Sequence, residues 1–539
     1  MKLTYEGLRD REAWSAAGVK LPEFDWQEMA AATQSDPVWV HIGSGNIFRI
    51  FIAGLQNQLL NEGLARQGII AVSPHDHESV ERVYRPHDNM TLAVSLRADG
   101  GTEREVIASV AQTLRAGEEF TEDRAELFRI FRQPSLQMVS FTITEKGYAL
   151  RRPDGTLSPE AQADMENGPQ TVRHTMGLTC ALLYERYRAG KYPIAVVSMD
   201  NCAHNGEVLR KSILDIAEAW CTRGAAEEGF LDYLKNDRTV SFPWSMIDKI
   251  TPQPSEETAD ALTAAGIEDM APVLTGKRTR IAAFVNAEKP QYLVLEDNFP
   301  NGRPPLEKAG AYLTDRETVN RSERMKVTAC LNPLHTAMSV YGCMLGYTRI
   351  CDEMADEDIV NLIKRLGYQE GLAVVPDPGI IRPEAFLDEV INQRLPNRFL
   401  PDAPQRIASD TSQKVGIRFG ETIKSYQKNG LDLDTLTAIP LALAGWLRYL
   451  LAADDNGNPI EVSPDPLKEH IQEQLSGAEW DQPHSIDGKL TAILSNESIF
   501  GLDLTATPLA AKIEAYLRQE LAGPGAVRAT LRNALKAAE

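Results

Sequence analysis

The sequence has 539 residues, which is too long for one ordinary hydrophobic core and predicts two domains or one domain with a large second lobe. Its apolar share of 43% and charged share of 24% are typical of a globular protein and exclude a disordered or fibrous chain. The formal net charge of -20 disfavours non-specific binding to nucleic acid or to an anionic membrane. An anionic substrate would therefore need a local group of Arg and Lys side chains.

Three further features predict a cytoplasmic protein without a membrane span. The most apolar long window, residues 436–453, contains Pro440 and Arg448, which favours a buried helix over a membrane-spanning one. Residues 1–6 lack the apolar core of a signal peptide. The six cysteines show no C-x-x-C spacing, so neither a zinc ribbon nor a disulfide framework is indicated.

The first strong signal in chain order is a strand, a glycine turn and a helix. Residues 37–42 form a short apolar run typical of a strand, and Gly43, Gly45 and Asn46 lead from it into a helical stretch. Glycines here allow the backbone to approach a pyrophosphate placed at the helix N-terminus. Phe48 occupies the position of the third glycine in the usual fingerprint. The turn is a candidate dinucleotide-binding loop, with a plain tight turn as the alternative.

An acidic residue follows the second apolar run. Residues 68–73 are again strand-like, and Asp76 lies just beyond them. A carboxylate in this position accepts hydrogen bonds from an adenosine ribose. Asp76 is further from the glycines than the usual interval of about 20 residues, a difference that a longer first helix would absorb. Asp76 is therefore a candidate cofactor ligand, and a surface loop aspartate is the alternative.

Strand-like and helical segments then alternate, which predicts a mostly parallel, doubly wound sheet. The strand-like runs are residues 90–96, 136–144 and 192–199, and the helical runs are residues 102–115 and 171–188. Further on, apolar residues recur at helical spacing over residues 356–366, 382–395, 435–453 and 507–521. We expect an α/β Rossmann-type domain over residues 1–315 and a mainly helical domain over residues 316–539.

The start of the helical part, residues 325–336, brings together an amine, a carboxamide and an imidazole. Asn332 and Pro333 are typical of a helix N-cap and first helical position, and His335 follows three residues after Asn332. Lys326 lies in the segment before this helix, which we expect to be extended. A desolvated lysine can transfer a proton, and amide and imidazole donors can hold a substrate oxygen as charge develops on it. The alternative is an ordinary helix cap preceded by a solvated lysine.

Five motifs occur in order along the chain. They are GSGNIFR from Gly43, TITEKGY from Thr142, SMDNxxHNG from Ser198, FPxSMxDxITP from Phe242 and EDNF from Glu296. Together with the Lys, Asn and His group, they resemble the polyol-specific long-chain dehydrogenases, the mannitol dehydrogenase and fructuronate reductase family. The resemblance covers most of the chain and implies a metal-free secondary-alcohol oxidoreductase. It implies NAD as cofactor and a small sugar acid or polyol as substrate.

The resemblance also implies roles for individual residues. It makes Lys326 the general acid and base, has Asn201 and Asn332 hold the reacting oxygen, and has His335 orient the substrate. The positions that match those binding the rest of the polyol chain are Asp248, Arg406 and Lys414. The candidate cofactor-binding residues are Gly43, Gly45, Asn46 and Ile47 of the matching glycine loop, together with Asp76 from its position after the second strand.

The sequence departs from the family pattern at three places. Lys326 is one residue further from Asn332 than the family spacing, so a bulge or an altered turn between them is needed to place the amine. Ile47 and Phe48 replace the common Phe-His pair of the glycine loop. Ser409 stands where mannitol-type members often have a histidine, which indicates a different substrate.

Three features favour the hexuronate branch of the family, in which a substrate carboxylate needs a counter-charge. They are the chain length, the motif CLNPLH at residues 330–335, and the cations Arg406 and Lys414. We therefore expect NADH-dependent reduction of D-fructuronate to D-mannonate. Oxidation of mannitol at C2 and reduction of tagaturonate are the alternatives. An alternative of another class is a non-catalytic nucleotide-binding protein of the same fold. The oligomeric state and the physiological direction are left open.

Overall fold

The computed structural model describes residues 1–152 and 154–536. Its contacts divide the chain into two compact units. Unit 1 contains Met1–Arg97 and Gly101–Asn320, and unit 2 contains Ala98–Gly100 and Arg321–Glu539. The expected domain boundary at residue 315 stays a prediction, because compact units are defined by contacts whereas a domain is defined by independent folding.

A parallel sheet forms the centre of unit 1. Within residues 1–152 and 154–320, its six strands are β1 (Trp39–Ile42), β2 (Ile69–Ser73), β3 (Val110–Arg115), β4 (Met138–Phe141), β5 (Ile194–Ser198) and β6 (Val240–Ser241). Their spatial order is β3-β2-β1-β4-β5-β6, and every neighbouring pair is parallel. This is the doubly wound dinucleotide-binding order, in which ligands bind where the strand order reverses, here between β1 and β4. The predicted Rossmann-type arrangement is present.

Five of these strands, all except β3, are buried over their whole length. Burial on both faces explains why the four longer ones are continuous apolar runs in the sequence. The α-helices of unit 1 before residue 315 are Arg11–Ala16, Trp26–Ser35, Ala53–Asn61, His77–Ser79, Thr121–Phe131, Thr144–Tyr148, Pro159–Asn167, Thr175–Gly190, Asn205–Thr222, Gly229–Lys235 and Glu256–Ala264. π-Helical turns over Phe48–Ile52 and Val80–Tyr84 precede or extend two of them.

The expectation of a helix over residues 102–115 is wrong, because this segment forms the strand Thr102–Ile107 followed by β3. Apolar residues there do recur at helical spacing, but its Thr, Val and Ile residues also favour strands. Pairing decides between the two: Thr102–Ile107 pairs antiparallel with Thr91–Leu96, while β3 pairs with β2. Thr91–Leu96 therefore lies in a second sheet, whose other strands are Val19–Lys20 and Phe284–Glu288.

Helices dominate after residue 315. The α-helices are Arg316–Met325, α1 (Asn332–Met344), Ile350–Glu353, Glu357–Lys364, Pro383–Glu389, Pro404–Ile407, Glu421–Lys428, α2 (Ala438–Tyr449), Lys468–Gln474, Leu490–Leu494, Glu497–Phe500, Leu509–Glu520 and Ala526–Lys536. π-Helical segments cover Lys326–Cys330, Arg365–Gly371, Val390–Arg394 and Gly416–Gly420. The four helices expected from apolar periodicity are present, each within a few residues of its expected bounds.

The apolar helix α2 is buried along its whole length, and a carboxylate from another segment caps it. Glu370 accepts hydrogen bonds from the backbone amides of Thr437, Ala438 and Ile439 at 2.7, 2.7 and 2.9 Å. These amides have no partner inside the helix, and a carboxylate also complements the helix dipole. Within the described chain, no helix is long and apolar enough to cross a membrane.

Arg186, on the helix Thr175–Gly190, ties together the two loops that lead into β4 and β5. Its side chain is fully buried, and its guanidinium donates to five backbone carbonyls. The acceptors are Phe131, Gln133, Leu136, Tyr192 and Pro193. Burial lowers the pKa of Arg186 to about 10, so the side chain stays charged at neutral pH. All five N–H donors of the guanidinium are satisfied, as a buried cation requires.

The substitution Arg186→Lys tests this arrangement. An ammonium has three donors on one nitrogen and cannot reach five carbonyls, so we expect the free energy of unfolding of unit 1 to fall by about 2–4 kcal/mol. Chemical denaturation followed by circular dichroism measures the change. Arg188→Lys, two residues away on an exposed position, is the matched control and should leave stability within about 0.5 kcal/mol. Equal stability of the two variants would show that the five bonds contribute little.

Candidate active site

The glycine turn lies directly after β1. Gly43 has a φ of +125°, and a Cβ built on it would overlap the carbonyl oxygen of Thr142, so this position requires glycine. The Gly43 amide donates to the carbonyl of Val72 at 2.8 Å, which holds the turn beside the end of β2. A Cβ built on Gly45 would meet no described atom within 4 Å. The turn therefore has the close backbone and the open space that a pyrophosphate needs.

A cavity of about 360 Å³ opens beside this turn. It is lined by the glycine turn, by the segment after β2 that contains Asp76, and by residues 142–144 after β4. The hydroxyls of Ser73 and Ser79 donate to the Asp76 carbonyl at 2.8 and 2.6 Å, which fixes the backbone there. Burial raises the pKa of the Asp76 carboxyl, an effect that neighbouring Glu78 reinforces. The glycine turn and Asp76 therefore line one cavity at the end of β1 and β2.

Asn46 and Ile47 follow the glycines but face different surroundings. Asn46 lines the cavity, and its side-chain amide donates to the carbonyl of Pro252 at 3.4 Å. Ile47 packs against the buried core that contains Phe48 and Phe51. Of these two predicted cofactor residues, only Asn46 has its side chain at the cavity.

Asp200 joins the loops that follow β4 and β5. Its carboxylate accepts hydrogen bonds from the backbone amides of Ile143 and Thr144 at 2.8 and 3.1 Å and from the hydroxyl of Tyr148 at 2.6 Å. The Ser198 hydroxyl in turn donates to Tyr148 at 2.8 Å. Burial raises the pKa of Asp200, while these donors favour its charged form. Sequence reasoning gave Asp200 no role, although it stands in the SMDNxxHNG motif.

Asn205 extends this network to the strand Ser245–Asp248. Its amide nitrogen donates to the carbonyl of Asp200 at 3.0 Å and to the hydroxyl of Ser245 at 2.9 Å, and its oxygen accepts from the Ser245 amide at 3.0 Å. The two ends of the loop are thus fixed, and Asn201 is exposed between them. The predicted oxygen-binding amide sits on a short loop that is anchored on both sides.

Asp248 is the last residue of its strand and is buried. That strand pairs antiparallel with Tyr292–Glu296, placing Asp248 opposite Tyr292. At the other end, the Glu296 carboxylate accepts from the Trp244 amide and from Arg316, each at 3.0 Å. Hydrogen bonds therefore connect the later four sequence motifs to one another.

Lys326 is only 4% exposed and begins a π-helical segment, Lys326–Cys330. The amide of Leu331 donates to the Lys326 carbonyl at 3.1 Å, the five-residue step of a π-helix. A π-bulge adds one residue to a helix, so a bulge, one of the two arrangements that the spacing requires, is present between Lys326 and Asn332. The expectation of an extended segment before the site is wrong, because the helix Arg316–Met325 runs directly into the bulge.

Asn332 is the first residue of α1, and the N-cap is Leu331 rather than Asn332. The predicted capping role of Asn332 is therefore wrong, because this residue already lies in the first turn of the helix. His335 lies half-buried in the first turn. Burial lowers the pKa of His335 to about 4, an effect that the nearby Asp402 carboxylate opposes. The imidazole is therefore neutral at pH 7 and can donate from one nitrogen and accept at the other.

The two predicted substrate cations of unit 2 already have partners. Arg406 is 71% exposed on its side chain and forms a two-pronged ion pair with Asp402, at 2.8 Å from Nε and 2.7 Å from Nη2. Lys414 donates to the carbonyl of Ile407 at 3.3 Å and to that of Ser409. Burial lowers the pKa of Lys414, and the positive charge of a neighbouring arginine adds to this shift.

Two further arginines lie near His335 and were missed from the sequence. Arg394 and Arg418 both act on the imidazole electrostatically, as does Arg406. Arg418 lies four residues after Lys414, a helical interval that could have identified it, and its amide donates to the Lys414 carbonyl at 2.9 Å. Arg394 stands on a separate π-helical segment, to which no such spacing points. Within residues 1–152 and 154–536, no group of three or more His, Cys, Asp or Glu side chains is arranged to hold a metal ion.

Comparison with known proteins bears on these assignments. The family model described as "Mannitol dehydrogenase Rossmann domain" matches residues 38–308, and that described as "Mannitol dehydrogenase C-terminal domain" matches residues 318–520. A "D-mannonate oxidoreductase" from Thermotoga maritima is 50% identical over 534 residues, which cover 98% of each chain.

Solved structures are similar over nearly the whole chain. Mannitol 2-dehydrogenase of Pseudomonas fluorescens, in a ternary complex with NAD and D-mannitol, has a TM-score of 0.72 at 28% identity and covers 99% of this chain and 100% of its own. A D-sorbitol dehydrogenase in substrate-free form has a TM-score of 0.78 at 25% identity, with 97% of both chains covered. The two family matches and the full-length relative at 50% identity show that this chain belongs to the mannitol dehydrogenase family, as its five motifs predicted.

Proposed function

We propose that this chain is an NAD-dependent oxidoreductase that interconverts D-fructuronate and D-mannonate. The observation that carries the proposal is the 50% identity with the D-mannonate oxidoreductase of Thermotoga maritima over 98% of both chains. The cavity at the glycine turn supports NAD as the cofactor. In this proposal, residues 1–315 bind the dinucleotide, and residues 316–539 bind the substrate and carry the proton-transferring group.

Lys326 is proposed as the general acid and base. When bound, the nicotinamide supplies or accepts the hydride at the carbon that changes oxidation state. In ketone reduction, the oxygen on that carbon gains negative charge and takes a proton from the Lys326 ammonium; in alcohol oxidation the amine takes the proton back. Lys326 is only 4% exposed, so its amine is shielded from bulk water and can exchange its proton with a bound substrate.

The reacting oxygen also needs fixed hydrogen-bond donors. We assign this role to the side-chain amides of Asn201 and Asn332, which stabilise charge on that oxygen as the proton and hydride move. Neutral His335 donates to or accepts from an adjacent hydroxyl and so orients the sugar chain. Together these groups perform the polarising task that zinc performs in other alcohol dehydrogenases, so the proposed reaction is metal-free.

The rest of the substrate is bound by Asp248, Arg406 and Lys414 in this proposal. Asp248 is buried and accepts from sugar hydroxyls, whereas the two cations donate to them. The Asp402 carboxylate already neutralises Arg406, so this arginine contributes donors more than net charge.

Two other substrates remain alternatives within the same chemistry. The structural neighbour that holds D-mannitol supports oxidation of mannitol at C2, and reduction of tagaturonate would use the same groups. The extra residue before Asn332 is the feature that favours the other alternative, a non-catalytic nucleotide-binding protein of the same fold. The π-bulge and the burial of Lys326 weigh against it, because they accommodate the insertion without exposing the amine. NADH oxidation measured in parallel with fructuronate, tagaturonate and fructose separates these possibilities.

Replacing Lys326 by alanine should lower kcat by roughly two to four orders of magnitude, the usual contribution of general acid-base catalysis, while NADH binding stays nearly unchanged. Small added amines should restore part of the rate, and the dependence of kcat on pH should lose one ionisation. Steady-state kinetics and fluorescence titration with NADH are the measurements. Lys364→Ala, on the exposed end of a nearby helix, is the control. Near-normal turnover of Lys326→Ala would assign the proton to another group, such as His335 or Lys414.

The cofactor assignment predicts a preference for NADH over NADPH, since the Asp76 carboxylate accepts from a ribose hydroxyl and repels a 2'-phosphate. Asp76→Ala should reduce the ratio of kcat/KM for NADH to that for NADPH by roughly ten-fold or more, the value of one charge-assisted hydrogen bond. Asp36→Ala, at an exposed position, should leave the ratio unchanged. Equal efficiency with both cofactors in the unmodified protein would contradict the role given to Asp76.

Metal independence has a direct test. Prolonged dialysis against EDTA, followed by assay in chelated buffer, should leave kcat unchanged because Lys326 and the two asparagines act on the substrate oxygen directly. Added Mg²⁺ or Zn²⁺ should not raise the rate of the dialysed protein. A loss of activity that a divalent ion restores would overturn the metal-free mechanism.

A further inference from the structure

Arg418 lies at the middle of the π-helical segment Gly416–Gly420. A Cβ on Gly416 would press on the carbonyl of Ile499, and one on Gly420 would overlap the carbonyl of Phe500. Glycine at both positions therefore lets this side of the segment pack directly against the backbone of residues 499–501. Arg418 stands halfway between the two glycines and so projects from the other side of the segment.

The guanidinium of Arg418 is fixed on the first turn of α1. Its Nη1 donates to the hydroxyl of Thr336, which in turn donates to the carbonyl of Asn332 at 3.1 Å. Thr336 directly follows His335 in the sequence. Arg418 is therefore held beside the turn that carries two of the proposed substrate ligands, with its remaining N–H groups not used by this bond.

Arg418 also lacks a counter-charge. None of the ion pairs among the described residues of unit 2 includes it, in contrast to Arg406 with Asp402. Burial lowers the pKa of Arg418 to about 10, so it remains a cation at neutral pH. Arg418 is half-buried, so the fold has already removed part of its hydration, and a guanidinium in that position without a carboxylate partner is available to pair with an anionic ligand.

We propose that Arg418 pairs with the carboxylate of the hexuronate substrate and so sets the preference for sugar acids over neutral ketoses. This inference rests on the proposed function and names the residue that recognises the acid. A guanidinium presents a planar set of donors that matches a carboxylate with two parallel hydrogen bonds. Arg406, already neutralised by Asp402, is left to bind hydroxyl groups that acids and neutral sugars share.

The experiment compares Arg418→Gln, Arg418→Lys and Arg406→Gln with the unmodified enzyme. Each is assayed in NADH oxidation with D-fructuronate, D-tagaturonate and D-fructose, and in competitive inhibition by D-mannonate and D-mannitol. Arg382→Gln, on an exposed side chain of unit 2, is the surface control. Thermal unfolding of every variant checks that it is folded.

Arg418→Gln should lower kcat/KM for the uronate by roughly 10- to 100-fold, mainly through KM, since one charge-assisted pair is lost. The value for fructose should change by less than about two-fold. Inhibition by mannonate should weaken by a similar factor, while inhibition by mannitol should not. Arg418→Lys, which keeps the charge, should recover part of the loss. Arg406→Gln should affect acid and neutral substrates alike.

Equal losses for uronate and fructose in a folded Arg418→Gln protein, or no loss for either, would overturn the assignment of Arg418 and leave the proposed function intact. An unmodified enzyme that turns over fructose but neither uronate would overturn the proposed function itself, and with it the role given to Arg418. The unmodified enzyme therefore tests the proposed function, and the Arg418→Gln variant tests the role of Arg418 separately.

Discussion

The ligand-binding edge of unit 1 depends on one half-buried carboxylate. Asp200 accepts hydrogen bonds from two backbone amides and from the hydroxyl of Tyr148, and so holds the loops after β4 and β5 in one arrangement. The backbone N–H and C=O groups just beyond the ends of parallel strands have no partners in the sheet. Other hydrogen bonds must fix these loops before they can position a ligand. Asn205 extends this network through its hydrogen bonds with Ser245. Asn201 is therefore exposed on a loop that is anchored at both ends.

The constraint in unit 2 is different, because one extra residue must be accommodated between Lys326 and the helix α1. The π-helical segment Lys326–Cys330 continues the helix Arg316–Met325, absorbs the extra residue before the break at Leu331, and contains the buried Lys326. The π-helical segment of Arg418 packs nearby, and the hydroxyl of Thr422 donates to the carbonyl of Thr328 at 3.0 Å. Wide helical turns of this kind are common at functional sites because they redirect side chains without breaking the helix. Here they bear both the proposed proton carrier and the proposed acid-binding arginine.

The distribution of charge gives each cation a different chemical role. Arg406 is exposed and paired, Lys414 donates to backbone carbonyls, and Arg418 is held by Thr336 with no ion pair in the described part of unit 2. A substrate carboxylate gains most from the guanidinium that has no ion-pair partner, because the charge of that guanidinium is not already neutralised. The net charge of -20 makes such a local exception necessary for an anionic substrate.

The sequence by itself determined the doubly wound sheet, the glycine turn, the helical second half and the family, because buried parallel strands, apolar helix faces and tight turns each leave a local pattern. Only the tertiary structure decided that residues 102–115 form strands, that a helix runs into Lys326, and that Ile47 packs into the core. It also decided that Arg406 is neutralised while Arg418 is not. These outcomes depend on strand pairing, backbone bulges and ion pairs, and the partners that residues find on other segments are not specified by local spacing.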